Sequence, residues 1–480
     1  MSVWTEVADR LNTLYQMVSD VEGGGEPGPP GWVYRGAYNN ATTYAARDVV
    51  RSVEGRLFSA LQGNTGTTPP ATAADSATWQ LVLDKAQDGA AGVSGTSVAS
   101  GLQKPGVASN TAPPQQLASA GTITGSEARV DHRGGNVAMT GIEIDYTNSY
   151  VASGLETSGP TPVTVRAAIE YPSGTFTPAY SRDGARDVVV APGDTVTLRA
   201  FVNIPAGQVF FSRTFATIPS NAGRLPTYGP MLATGTYGVT SATPSDHTTS
   251  ASGEPTGVGN AFTPSAIRAI GLDGKVLALA GVGDSIMAGI GDANQMRGWM
   301  GMSCDNLIPL QRVAYPGDKA SNFATLAGRA RRQGLIVGSN VMICGYGNND
   351  VYTGRTLAQI QDDLKVIWAF GRQLGMKVVQ TTITPKSNST DSWATVANQT
   401  VPSASVEAIR VQLNTWIRTT PSGIVNYVDM ADAVESGRNS GLWAAAPAKT
   451  ADGLHPNAAG HTLMSNKFNE SVSALRALVA

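Results

Sequence analysis

Beyond residue 270 the sequence settles into a strict alternation: short, almost unbroken apolar runs separated by stretches of helical period. The runs are KVLALAGVG (275–283), QRVAYPG (311–317), NVMICGYG (340–347), KVVQTTITP (377–385) and IVNYVDM (424–430). The clearest helix between them spans 356–376. There Leu357, Ile360, Leu364, Ile367, Phe370 and Leu374 share one face, and Thr356 with Gln359 forms a capping box. Strands that are apolar on both faces and alternate with helices demand a parallel sheet covered on both sides. The expected fold class of this region is therefore an α/β three-layer sandwich around a five-stranded parallel sheet. In such sheets ligand sites gather beyond the carboxyl ends of the strands. Ser285, Gly317 and Asn349 all stand at such ends.

The first run ends at once on Gly283-Asp284-Ser285. A strand that stops at a serine in a glycine-rich turn exposes a hydroxyl, though it is also an ordinary way to end a strand. The hydroxyl becomes a nucleophile only if a base takes its proton and N–H donors receive the developing oxyanion. A base is present in ADGLHPNAAGH (451–461): His455, with Asp452 three residues before it. On one turn, a carboxylate at that spacing can accept from the imidazole Nδ1, fixing the tautomer and leaving Nε2 for the serine. The G-x-S-x-G elbow of α/β-hydrolases is absent, because residue 287 is Met and Ser285 follows the first strand of its domain. His461, in a helical pattern, reads as a surface or packing residue, and Cys344, in an apolar run, as a buried thiol.

Gly283-Asp284-Ser285, the Gly317 of YPGDKASN, GNND at 347–350 and DGLH at 452–455 occur in the order of four motif blocks. These are the blocks of the SGNH hydrolases, also called GDSL esterases, which residues 272–480 resemble and whose sheet is flavodoxin-like. The resemblance implies roles position by position. Ser285 is the nucleophile and offers its backbone N–H to the oxyanion hole, Gly317 offers a second backbone N–H, and Asn349 a side-chain N–H. His455 is general base and then general acid, oriented by Asp452, while Asp284 and Asp350 are structural. With N–H donors in every electrophilic role, no cofactor and no metal are expected.

Upstream the texture differs. Trp4, Val7, Leu11, Leu14, Val18 and Val21 alternate three- and four-residue steps, the seam of a coiled coil over 1–22, or else one amphipathic helix docked on its own chain. Gly25, Gly28 and Gly31 (linker 23–31) and Gly89, Gly92 and Gly95 (linker 86–117) recur at every third place, as in collagen or a flexible linker. Residues 32–85 form a unit of short alternating strands. Its Tyr44, Asp48-Val49-Val50, Gly55, Phe58 and Trp79 resemble the small carbohydrate-binding modules of chitinases, which also occur in phage tail proteins. Sugar contact through Tyr38 and Trp79 and a pure spacer role are both open. Residues 118–255 read as an antiparallel β-sandwich whose His132 and His247 lack the neighbours of a metal site, and 256–271 as a linker.

Charged residues make up 15% of the 480 and the net charge is −2, so neither nucleic acid nor membrane is an expected partner. No apolar run reaches the roughly 18 residues of a membrane span. The N-terminus lacks a continuous apolar secretion core. The succession of segments resembles a phage tail fibre or tailspike. The expectation is a homotrimeric virion tail protein, bound to other tail or baseplate proteins and acting at the bacterial surface. Its esterase would remove short acyl groups, O-acetyl foremost, from O-acetylated surface polysaccharide. The 386–405 loop either lines the pocket with Trp393 or is a plain surface loop. A non-catalytic receptor-binding protein and a generic bacterial carboxylesterase are the alternatives.

Overall fold

The computed structural model describes residues 33–83 and 111–479, except 54–55, 73, 119–120, 122, 153, 220–222, 230–234, 271–275, 295–296 and 305–307. The heptad segment, both glycine-triplet runs and Trp32 lie outside the described residues. The chain divides into two compact units, Met1–Ala99 and Ser100–Ala480.

In the first unit, strands Val33–Ala37, Asp48–Arg51, Leu57–Ala60 and Trp79–Leu83 form a sheet in that order, parallel in the first pair and antiparallel in the others. Tyr44, Val50, Phe58, Ala60 and Trp79 make its core. Trp79 is fully buried and donates its Nε1–H to the Thr67 carbonyl at 2.7 Å. Tyr38 stacks on Tyr44 and meets Trp79 edge-on, its hydroxyl also buried. Of the two open readings, sugar contact through Trp79 is thereby corrected, since its ring is fully buried, while Tyr38 is half-buried. A module this small has little else from which to build a core, so Tyr44, Phe58 and Trp79 face inward.

The second unit opens with an antiparallel sandwich. One sheet centres on Val163–Glu170, Val209–Thr217 and Gly125–Arg133, and the other on Gly141–Thr147. Period-two alternation sends Ile142, Ile144 and Tyr146 from one sheet, and Val163, Val165, Ala167 and Ile169 from the other, into a shared core. The expected linker 256–271 is corrected in part: Ala266–Ile270 is a strand paired with Gly141–Thr147. Its alternation is too short to stand out beside the Gly- and Pro-rich stretch before it. The end of the 86–117 linker is likewise structured, with Gln116–Leu117 paired to Pro226–Thr227.

Five strands follow: β1 (Leu279–Gly283), β2 (Leu310–Arg312), β3 (Val341–Gly345), β4 (Lys377–Thr381) and β5 (Asn426–Val428). All pairs are parallel, in the order β2-β1-β3-β4-β5. Alternate residues divide between two cores. Ala280, Val282, Met342 and Cys344 face helix Leu357–Gln373, while Leu279, Val341 and Ile343 face Trp299, Met464 and Phe468. The capping box at Thr356 and Gln359 is formed in both directions. β2 is shorter than its apolar run. After Arg312 the chain still follows β1, Val313 and Tyr315 donating to the Gly281 and Gly283 carbonyls, until Gly317 turns it at φ +79°.

The sandwich and this α/β domain share a buried polar seam. Gln311 donates to the Ile267 carbonyl at 2.8 Å and accepts from Thr111 at 2.7 Å, and Arg312 donates to the Tyr228 hydroxyl at 3.1 Å.

Candidate active site

Strand order 2-1-3-4-5 reverses winding between β1 and β3, and the crevice of such a sheet opens at that switch point. Ser285 directly follows β1 and Asn349 lies on the short helix Asn348–Tyr352 after β3. The turn at Gly317 runs beside β1 on its other flank. Sequence order thus becomes spatial convergence.

Ser285 begins a single helical turn, Ser285–Ala288, where its own N–H precedes any intrahelical acceptor. Asp284 caps that turn, accepting the Ile286 N–H at 3.0 Å. The Ser285 hydroxyl lies 2.9 Å from His455 Nε2, and His455 Nδ1 lies 2.6 Å from Asp452 Oδ2. A carboxylate only accepts, so Nδ1 carries the proton and Nε2 is free to take the one on Ser285. Asp452 Oδ1 also accepts the N–H groups of Leu454 at 2.9 Å and His455 at 2.8 Å. Partial burial pushes the Asp452 carboxyl up, but these bonds from His455 and Leu454 outweigh it and hold the pKa below the ordinary carboxylate value. Asn349 donates one Nδ2–H to the Asp318 carbonyl at 2.8 Å, which fixes the amide and leaves its second N–H to point elsewhere.

Gly453 keeps this loop in place. It adopts φ +79°, and its carbonyl accepts from Ser387 N–H at 3.0 Å and Trp443 Nε1–H at 2.9 Å. A Cβ there would strike the Ser387 carbonyl and come within 2.6 Å of the Trp393 ring. Trp393, one candidate for the pocket lining, thus buttresses the loop that carries Asp452 and His455. Gly453→Ala should lower kcat about 10- to 100-fold by displacing the imidazole, as steady-state hydrolysis of a chromogenic acetyl ester would register.

His461 is the packing histidine. Its Nδ1 accepts from Trp299 N–H at 3.1 Å, so its Nε2–H donates to the Ile290 carbonyl at 3.0 Å. Burial pulls it down to about 4, as it pulls His132 down to about 3. Asp284 moves the other way. Burial pushes it up to about 7, the Ile286 N–H opposes this, and the charges of Asp350 and Asp318 add to it. Between pH ~4 and ~7 the folded state keeps a proton on Asp284 that the unfolded chain releases, so this contribution falls as pH rises. The histidines refuse a proton that the unfolded chain takes up below pH ~6.5, so theirs falls as pH drops. Asp284→Asn still caps the turn and removes only the first contribution. Its gain in urea midpoint over wild type should be large near pH ~7 and vanish toward pH ~4. A difference independent of pH would contradict the protonated carboxyl.

Behind Asn349, Asp350 has the structural role expected of it, whereas Asp318, Tyr346 and Arg332 were missed by sequence reasoning. Asp318 Oδ2 accepts from the Tyr346 hydroxyl at 2.6 Å and from Arg332 at 2.7 Å, and Asp350 accepts the Ala320 N–H at 2.8 Å. The only sequence signal was the acid following Gly317.

Residues 282–463 match the GDSL-like Lipase/Acylhydrolase family. Similar solved structures include a GDSL-like lipase from Bacteroides thetaiotaomicron, 16% identical over 41% of this chain and 87% of that one, with a TM-score of 0.30. A psychrotrophic esterase from Pseudoalteromonas is 14% identical over 42% and 98%, with a TM-score of 0.31. A variant of an acetyl-xylooligosaccharide esterase from Geobacillus is 16% identical over 42% and 94%, with a TM-score of 0.31. No curated protein matches the chain. Four motif blocks in order, a matching family and a parallel five-stranded sheet agree: residues 282–463 are a GDSL-like lipase/acylhydrolase domain, of the SGNH hydrolase kind.

Proposed function

We propose that this protein is a serine esterase that transfers a short acyl group from an ester to Ser285 and then to water. The reading rests on one observation, the 2.9 Å approach of the Ser285 hydroxyl to an imidazole whose far nitrogen is bound by Asp452 at 2.6 Å. Ser285 Oγ attacks the carbonyl carbon as His455 Nε2 takes its proton. The tetrahedral oxyanion is received by the N–H groups of Ser285, Gly317 and Asn349. The imidazolium then protonates the leaving alcohol oxygen. A water molecule, deprotonated by the same imidazole, releases the acid and restores the serine.

The favoured ester is O-acetyl on a bacterial surface polysaccharide, hydrolysed by a trimeric phage tail protein. The support is the sequence context: a heptad segment, glycine triplets and a module resembling chitinase sugar-binding domains. Trp79, buried in the core of that module, carries none of this. Incubating the full chain with O-acetylated surface polysaccharides and measuring acetate tests the reading. Release by wild type and not by Ser285→Ala supports it; equal release by both, or none from any acetylated glycan, refutes the enzyme or its substrate respectively.

A further inference from the structure

The sandwich sends a hairpin, Ser149–Ala152 paired with Leu155–Ser158, into the α/β domain. Two features of it converge on one turn. The Glu156 carboxylate, with only 1% of its side chain exposed, accepts Arg331 N–H at 2.7 Å, Arg332 N–H at 3.1 Å and Arg332 Nε–H at 2.7 Å. Arg332, wholly buried over the Tyr315 ring, passes the contact on through Nη1 to Asp318 Oδ2 at 2.7 Å. Asp318 is the residue whose carbonyl fixes the Asn349 amide. Independently, Gly154 at the hairpin tip, φ +78°, lies against the same turn. A Cβ on it would stand 2.7 Å from the Gly317 carbonyl oxygen and 3.2 Å from Asp318 Cα.

Gly317 and Asn349 are the two oxyanion donors that do not come from the nucleophile's own turn. Donors of this kind work only when held to about half an ångström. The turn that bears one and orients the other lies beyond the end of its strand, so the sheet alone does not fix it. We infer that the sandwich hairpin is a built-in part of the esterase site, with Glu156 and Gly154 as positioning residues that set Gly317 and Asn349 through the Asp318 turn. The inference rests on the esterase reading above. Neither residue needs to touch substrate, so the contribution falls on the chemical step rather than on binding.

The test uses the full chain and a chromogenic acetyl ester, with wild type, Gly154→Ala, Glu156→Gln, Glu156→Asp and Ser285→Ala, each checked for a cooperative unfolding transition. Gly154→Ala and Glu156→Gln should lower kcat about tenfold or more with KM within about twofold. Glu156→Asp, which keeps the charge, should recover part of the loss. In an Asn349→Ala background the Glu156 substitutions should cost less, because one of the two donors set by the Asp318 turn is already gone while Gly317 remains. If Gly154→Ala does not fold, the two Glu156 variants decide the matter. Wild-type kcat in the folded hairpin variants overturns the inference, as does a loss that falls on KM with kcat unchanged. Wild-type hydrolysis by Ser285→Ala would instead remove the esterase reading itself, a separate and distinguishable failure.

Discussion

Ser285→Ala and His455→Ala should each lower kcat for ester hydrolysis by about a million-fold, and the double variant should be no slower than either. The reason is that hydroxyl and imidazole act as one unit. The serine is a weak nucleophile without a proton acceptor, and the acceptor has nothing to activate without the serine. Their 2.9 Å contact, made across 170 positions of chain, has no counterpart elsewhere in the described site. Single-turnover and steady-state rates on an acetyl ester measure the losses. Multiplicative losses in the double variant would mean that two independent routes to product exist, and the triad would no longer describe the chemistry.

Asn349→Ala should lower kcat by about 10²- to 10³-fold and leave KM nearly unchanged, because the oxyanion it receives exists only after attack. The substitution also frees the Asp318 carbonyl that the amide now holds at 2.8 Å. Asn349→Asp separates the two effects. It keeps the volume, but it removes both N–H donors and sets a negative charge where another develops, so it should be at least as slow as the alanine variant. An unchanged kcat in Asn349→Ala would take this residue out of the oxyanion hole.

How far the sequence led differs from part to part, for physical reasons. The parallel sheet was legible because strands buried on both faces must be apolar at successive positions, as in Val341, Met342, Ile343 and Cys344. The serine, the histidine and Asp452 were legible because their chemistry restricts residue type and, for the last two, spacing. The strand Ala266–Ile270 was not, because five residues after a polar loop carry too little period to separate from linker. Trp79 misled because an aromatic ring serves a small core and a sugar platform equally well, and only burial distinguishes them. The Glu156–Arg332–Asp318 chain was out of reach. It joins side chains more than 150 positions apart, each of a type that is ordinarily solvated.

The polar seam also limits how this protein can be divided. The family match begins at Val282, inside β1, whereas groups that complete the domain's interior come from Thr111, Glu156, Tyr228 and Ile267. A fragment trimmed to that match would leave Arg332 buried with half its counter-charge missing, and would open the flank of Gln311 and Arg312 to water. The candidate site and the sandwich before it are therefore physically coupled: cutting between them strips buried groups of the α/β domain of the partners that satisfy them.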